Sequence, residues 1–419
     1  MKTKGLRLYG KNDLRLEEFE LPEITADELL VKIVSDSVCM SSYKAANQGS
    51  SHKRVPEDIS ERPIILGHEF CGEIIAAGEN IKEKYRPGQK FTLQPAMKGT
   101  YDAAGYSFPY LGGNMTYGII PKCYIDQDCV LLYEGEGFFR GSLAEPLSCV
   151  IGAVHANYHT RQGEYIHDMG IKEGGNMAIL AGCGPMGIAL IDYLIHREKK
   201  PKLLVVTDID QKRLDSAEAV LPKEEAAKNG VELIYLNAQS DPMSEMMKKT
   251  DGHGYDDIFV FAPVSAVIEQ ADAMLAYDGC LNFFAGPSDT AFSAKFNFYD
   301  VHYNATHIVG TSGGNTDDMK EALAMSAKGK LNPAFLVSHV GGLDAAAETT
   351  LNLPDLPGFK KLIYTEISMP LTAISDFEEK GKTNPLYKSL GEICARHNGL
   401  WSVEAEKFLL EAHQENIPQ

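Results

Sequence analysis

From residue 1 to about 150 the apolar positions come in short runs broken by Gly and Pro: LLVKIVS (29–35), EIIAAG (73–78), QKFTLQP (89–95) and MTYGIIP (115–121). Runs of this length, rich in β-type residues and bounded by turn residues, predict strands. Helix-length periodic stretches are scarce in this part, which therefore predicts a mostly antiparallel β domain. From Asn176 the pattern changes. NMAILA, LLVVTD, VELIYL, DDIFVFA and CLNFFAG alternate with the helix-length stretches PMGIALIDYLIHREKK, DQKRLDSAEAV and SAVIEQADAMLAY. Strand and helix in alternation predict parallel strands with crossover helices, a doubly wound sheet. After HIVGTSGG (307–314) come two or three helical stretches interrupted by prolines, ending around Trp401.

Length and charge narrow the function. A chain of 419 residues exceeds what one core organises, so two domains are expected. Forty Lys and Arg against 58 Asp and Glu give a net charge of −18, dispersed along the chain. Such a surface repels nucleic acid and anionic membranes and favours a small-molecule partner. The eight cysteines (39, 71, 123, 129, 149, 183, 280, 394) form no CxxC pair, which predicts reduced thiols in a cytoplasmic protein. No apolar run approaches the roughly 20 residues of a membrane span.

The strand NMAILA runs into AGCGPMG, so Gly182, Gly184 and Gly187, with Pro185 and Met186 between them, form GxGxxG ahead of a helix. Glycines at this spacing permit a tight turn, let the backbone approach a pyrophosphate and allow close helix packing. Asp208 ends the next strand. Its carboxylate is placed to accept hydrogen bonds from an adenosine ribose and to repel a 2′-phosphate, which predicts NAD. A helix N-cap is the other role open to Asp208, and Asp210 competes for it.

The stretch PIILGHEFCGEI (63–74) carries His68 and Glu69 side by side in an apolar run. A carboxylate is costly to bury unless paired or bound to a metal. Taken alone, the pair also fits a solvent-exposed turn at Gly67. Zn²⁺ takes Cys, His and carboxylate ligands, and a catalytic site keeps one position open. Cys39 in SVCMSS, His68, and Glu69 or Glu145 in LAEPLSC supply such a set. Each also has an ordinary structural explanation: a small core cysteine, a core histidine, and a glutamate ahead of the helix-opening Pro146.

CMSS, GHE, YRPGQKF, LAEPLSC and AGCGPMG occur here in the order seen in zinc-dependent medium-chain dehydrogenases, and the chain resembles their sorbitol and threonine dehydrogenase branch over about residues 1–365. With HIVGTSGGNTDDM and the long tail, it most resembles bacterial L-sorbose-1-phosphate reductases. The resemblance implies a GroES-like catalytic domain over 1–150, completed by about 312–419, and a Rossmann domain over 151–311. It implies one catalytic zinc held by Cys39, His68 and a glutamate, either Glu69 or Glu145. In the polyol branch Glu69 can ligate, whereas Glu145 falls where other members have a ligand or a group bonded to the zinc water; His68 and Glu69 can both reach one metal only if the chain bends at Gly67. Ser41 matches the hydroxyl that relays the substrate proton, and Lys44 stands where many relatives have a histidine. The loop TLQPAMKGTYDAAGYSFPYLGGN has no cysteine where relatives hold a structural zinc, so that second zinc is expected to be absent. The implied activity is reversible oxidation of a secondary alcohol by NAD, with L-sorbose 1-phosphate and D-glucitol 6-phosphate as the proposed pair. His52, Lys53 and Arg54, with Lys44 and Lys295, are the candidate phosphate contacts. The alternatives are an unphosphorylated polyol or threonine as substrate, or a nucleotide-binding protein without turnover. A homo-oligomer, dimer or tetramer, is expected.

Overall fold

The computed structural model describes residues 1–414. The chain forms two compact units: Met1–Glu145 together with the chain from Pro333 onward, and Pro146–Asn332. The helix Thr316–Ala327 thus lies in the second unit, whereas the sequence placed the return to the first at about 312.

The first unit is built on an eight-stranded sheet. Its order is Thr372–Ala373, Val337–Gly342, Lys360–Tyr364, Leu29–Val38, Phe70–Ala77, Lys90–Leu93 and Val130–Leu132, with Tyr117–Ile120 also paired to Leu29–Val38. All pairings are antiparallel except Val337–Gly342 with Lys360–Tyr364. Val31, Ile33, Phe70, Ile74, Phe91 and Ile119 form part of the core beneath the sheet. The strands that the sequence places at 29–35, 73–78, 89–95 and 115–121 are all present, with adjusted ends.

Register decides what converges. Asp36 lies opposite Phe70, so the end of Leu29–Val38 meets the residues just ahead of Phe70. Val38 lies opposite Lys361 on the other side. Cys39, His68, Glu69 and Lys360 are thereby carried to one end of three adjacent strands.

The second unit holds a six-stranded, wholly parallel sheet in the order Glu232–Asn237, Leu203–Asp208, Asn176–Leu180, Tyr255–Val260, Leu275–Phe283, His307–Val309. This doubly wound order reverses direction beside Asn176–Leu180, where such sheets bind ligands. One element differs from the expected pattern. SAVIEQADAMLAY is helical only over Ser265–Ala273, and its last residues open the strand Leu275–Phe283. Leu275 pairs with Tyr255, so ladder hydrogen bonds override the helical spacing there.

Candidate active site

The bend that the GHE stretch requires is at Gly67, whose φ is 93°. A Cβ there would stand 2.5 Å from Asn114 Nδ2 and 2.6 Å from Asp36 Oδ2, so glycine is required on both conformational and steric grounds. Asp36 fixes the far side of the bend. Its Oδ1 accepts the Glu69 N–H (3.2 Å) and its Oδ2 accepts from Asn114 Nδ2 (3.2 Å). Burial, then the charge of Glu69, push the Asp36 carboxyl well above the usual range.

Beyond the bend, His68 and Glu69 are both buried, and ligand atoms of Cys39, His68 and Glu69 lie within 4.8 Å of one another. Cys39 enters as the residue ahead of helix Met40–Gln48. Its Sγ–H donates to Ser41 Oγ at 3.6 Å. Burial pushes the thiol up, with Lys360 opposing. The His68 ring is oriented from two sides, with Ser42 Oγ 3.3 Å from Nδ1 and Tyr106 Oη 3.3 Å from Nε2. Burial holds it below the ordinary imidazole range, which keeps it neutral and suited to metal binding.

Glu145 opens helix Ala144–Ala156, is buried, and does not belong to the 4.8 Å group. Burial pushes its carboxyl up to about 7, with His68 pulling it down.

Three contributors escaped the sequence reading. Lys360 opens a strand nearly 300 residues downstream, is itself buried, and donates to Glu69 Oε1 at 2.5 Å. Burial works against its charge, but Glu69 and Cys39 outweigh this and raise its pKa. Tyr106 comes from the cysteine-free loop, and its ring faces the His68 ring with centroids 4.9 Å apart. Asp36 is the third. Of these, only Asp36 left a signal in the sequence, an acid inside an otherwise buried strand.

A zinc ion fits this set. The donors are a thiol, an imidazole and a carboxylate, and Glu69 Oε2 is a buried oxygen with no hydrogen-bond partner among the described residues. An orphaned buried acceptor of this kind costs free energy that a cation removes.

In the second unit, the three loop glycines have different surroundings. A Cβ on Gly187 would lie 1.9 Å from Gly182 O, and one on Gly182 would meet Ile179 Cγ2 at 2.5 Å, so both are packing glycines. Nothing lies within 4 Å of the Cβ position of Gly184, which leaves the backbone open to approach. Gly184 also precedes helix Pro185–His196 with no side-chain cap, so the first N–H groups are left for an anion. Asp208 is buried at the end of its strand, its Oδ2 accepting the Cys183 N–H (3.3 Å) and its Oδ1 the Asp210 N–H (3.1 Å). The N-cap role falls to Asp210, which accepts from the Lys212 N–H at 2.9 Å.

Residues 25–130 match the alcohol dehydrogenase GroES-like domain and residues 185–328 the zinc-binding dehydrogenase domain. The chain is 54% identical to mannitol-1-phosphate 5-dehydrogenase of Aliivibrio fischeri over 99% of both chains. It is 50% identical to L-sorbose 1-phosphate reductase of Klebsiella pneumoniae over 99% of this chain and 98% of that one. The chain belongs to the zinc-dependent medium-chain dehydrogenase family. In fold it is similar to 2R,3R-butanediol dehydrogenase from Bacillus subtilis, with a TM-score of 0.70 at 21% identity over 86% of this chain and 99% of that one. As a member of this family it is an oxidoreductase that works with zinc and a nicotinamide dinucleotide. None of its helices among the described residues is long and apolar enough to cross a membrane.

Proposed function

We propose that this chain is a zinc- and NAD-dependent dehydrogenase of phosphorylated polyols, interconverting the secondary alcohol and the ketone, with D-glucitol 6-phosphate and L-sorbose 1-phosphate as the preferred pair. The observation that carries the chemistry is the buried Cys39, His68 and Glu69 cluster with its orphaned carboxylate oxygen. The phosphate is supported by the two relatives above, both named for phosphorylated substrates. Oxidation at C5 of mannitol 1-phosphate is the second reading, favoured by the 54% identity to the enzyme of that name.

In this reading Cys39, His68 and Glu69 would hold one zinc per chain, with the buried Glu145 as the alternative carboxylate ligand. When bound, zinc supplies Lewis acidity toward the substrate oxygen and the nicotinamide supplies the hydride acceptor. Ser41, whose Oγ accepts from the Cys39 thiol at 3.6 Å, takes the proton of the substrate alcohol. Tyr106 and Ser42 hold the His68 ring in place. Gly182, Gly184, Pro185, Met186 and Gly187 receive the pyrophosphate and Asp208 the adenosine ribose, which favours NAD over NADP.

A homo-oligomer is part of the reading. The edge strand His307–Val309 and the helix Phe298–Tyr303 expose Ile308, Phe298, Tyr299 and Tyr303, a surface fit for a second copy of the chain. All eight cysteines are free, in keeping with the cytoplasm.

NADH absorbance with glucitol 6-phosphate, mannitol 1-phosphate, glucitol, mannitol and threonine tests the substrate, alongside elemental analysis and light scattering of the purified protein. One zinc per chain, an oligomeric mass and the highest kcat/KM on glucitol 6-phosphate are expected. A higher value on any unphosphorylated alcohol overturns the substrate reading.

A further inference from the structure

A phosphate on the substrate needs cations near the metal-binding cluster, and a chain with a net charge of −18 offers few places where cations predominate. One such place follows helix Met40–Gln48. After the short turn Gly49–Ser51 come His52, Lys53 and Arg54 in succession. Burial, then the positive charges of Arg54, Lys53 and Lys44, hold His52 below the ordinary imidazole range, so all three cations act on one spot.

Tyr106 joins this segment to the site. The His52 ring stacks on it at 5.6 Å with an interplanar angle of 8°. The Arg54 guanidinium lies over the same ring, 5.5 Å from its centroid, and the Tyr106 and His68 ring centroids are 4.9 Å apart. These two spacings bring the guanidinium within about 10 Å of the His68 ring. The loop is tied down where Ser107 Oγ donates to Arg54 O at 2.7 Å. Arg54 is half-buried, and its guanidinium has no carboxylate partner among the described residues; Asp58, close in sequence, pairs with Arg62 instead. His52 Nδ1 accepts the Arg54 N–H at 3.3 Å, which leaves Nε2 to carry the proton of the neutral ring and donate outward.

We propose that Arg54 and His52, backed by Lys44 and Lys53, form the subsite for the substrate's phosphate and set a preference for phosphorylated over free polyols. The proposal rests on the sugar-phosphate reading above. Guanidinium suits a phosphate because its planar fork bonds two oxygens at once. The span also fits. Phosphorus lies about 4 Å from the reacting carbon in a ketose 1-phosphate reduced at C2, and about 7 Å away when four carbon–carbon bonds separate the phosphate-bearing and reacting carbons. With about 2 Å for a metal–ligand bond and about 2.8 Å for a charge-assisted hydrogen bond, either substrate bridges a gap of this size. Lys295 lies in the second unit and is not needed for this subsite.

The test compares glucitol 6-phosphate with glucitol in the wild type and in Arg54→Met, Arg54→Lys, His52→Asn and Lys53→Glu. Arg54→Met should lower kcat/KM for glucitol 6-phosphate about 100-fold and leave glucitol within about 3-fold, with partial recovery in Arg54→Lys. Lys53 is exposed, so Lys53→Glu keeps the fold and should lower the phosphorylated value about 10-fold. Calorimetry of metal-free protein with inorganic phosphate should show binding that Arg54→Met loses. Equal losses on both substrates, or an unchanged ratio between them, overturn the subsite. A wild type with no preference for glucitol 6-phosphate overturns instead the sugar-phosphate reading beneath it, and that outcome needs no variant.

Discussion

Replacing Lys360 by methionine removes one partner of a pair in which the lysine is 5% and the glutamate 1% exposed. At 2.5 Å and an effective dielectric constant of about 20, the attraction is about 6–7 kcal/mol. Desolvation of the two charges cancels most of it, at several kcal/mol per ion, so the intact pair contributes little net stability. Breaking it is another matter. In the metal-free variant Glu69 keeps its burial, loses the ammonium on Oε1, and still has no partner on Oε2. The expected loss is about 3–5 kcal/mol, roughly 5 °C in melting temperature for a chain of 419 residues. In our reading, in which Glu69 is a zinc ligand, Lys360 occupies Oε1, leaves Oε2 open and is an outer partner of the metal site, so its removal should also weaken zinc about 10–100-fold. Thermal unfolding of chelator-treated protein and zinc competition against a chromophoric chelator read the two effects separately, and Lys360→Arg should recover part of both. A metal-free Lys360→Met protein melting within about 2 °C of the wild type, or one binding zinc more tightly, would refute the reasoning.

Asp208→Gly removes the carboxylate that faces the ribose in our reading, and the ratio of kcat/KM with NAD to that with NADP should fall about 10–100-fold; a wild type that already prefers NADP would place the ribose contact elsewhere. His155 lies 2.7 Å from Asp318 and 3.3 Å from Glu321, and these bonds raise its pKa to about 9. Its folded-state value exceeds its unfolded one, so its stabilising contribution is complete below pH about 6.5 and disappears as pH rises through about 9. Melting temperature should decline across that window and less so in His155→Gln, modestly because the side chain is 42% exposed; identical slopes in both proteins would exclude the effect.

The two sheets were legible because period and composition differ so sharply between the halves. Cys39, His68, Glu69 and Glu145 could be named because the family's motifs stand in order, and Gly67 because two neighbouring side chains cannot reach one metal from an extended backbone. Lys360 could not. GFKKLIY reads as a strand entered from solvent, yet Lys360 and Lys361 are both buried. Lys360 answers the Glu69 carboxylate, and Lys361 donates to Pro357 O and Phe359 O, each at 2.6 Å. Their partners are set by strand register across the fold, which local spacing does not encode. Tyr106 was hidden for a similar reason. In DAAGYSFPY nothing distinguishes a ring that packs on two histidines from an ordinary loop aromatic. At 265–277 the reading failed through propensity: Ala, Met and Leu favour a helix, and the parallel ladder ended it at Ala273.

Chain order and spatial order are at odds in the first unit. Residues 39 to 69 carry the proposed metal ligands, but the ammonium that meets Glu69 is 291 positions further on. Glu406 is later still: it accepts the N–H groups of Phe138 (2.6 Å) and Phe139 (2.8 Å) and the hydroxyl of Tyr364 (2.8 Å), to which the Trp401 indole also donates at 2.8 Å. On a ribosome adding 5–20 residues per second, roughly 10–50 s separate the emergence of Glu145 from that of Glu406. The nucleotide-binding unit, contiguous in sequence, has all its strands within that interval. The half with Cys39 must instead wait as an open sheet until the helix Val403–Gln414 is made. During biogenesis, the exposed strand edges and the unpaired carboxylate of that half are what chaperones, proteases and metal donors would encounter.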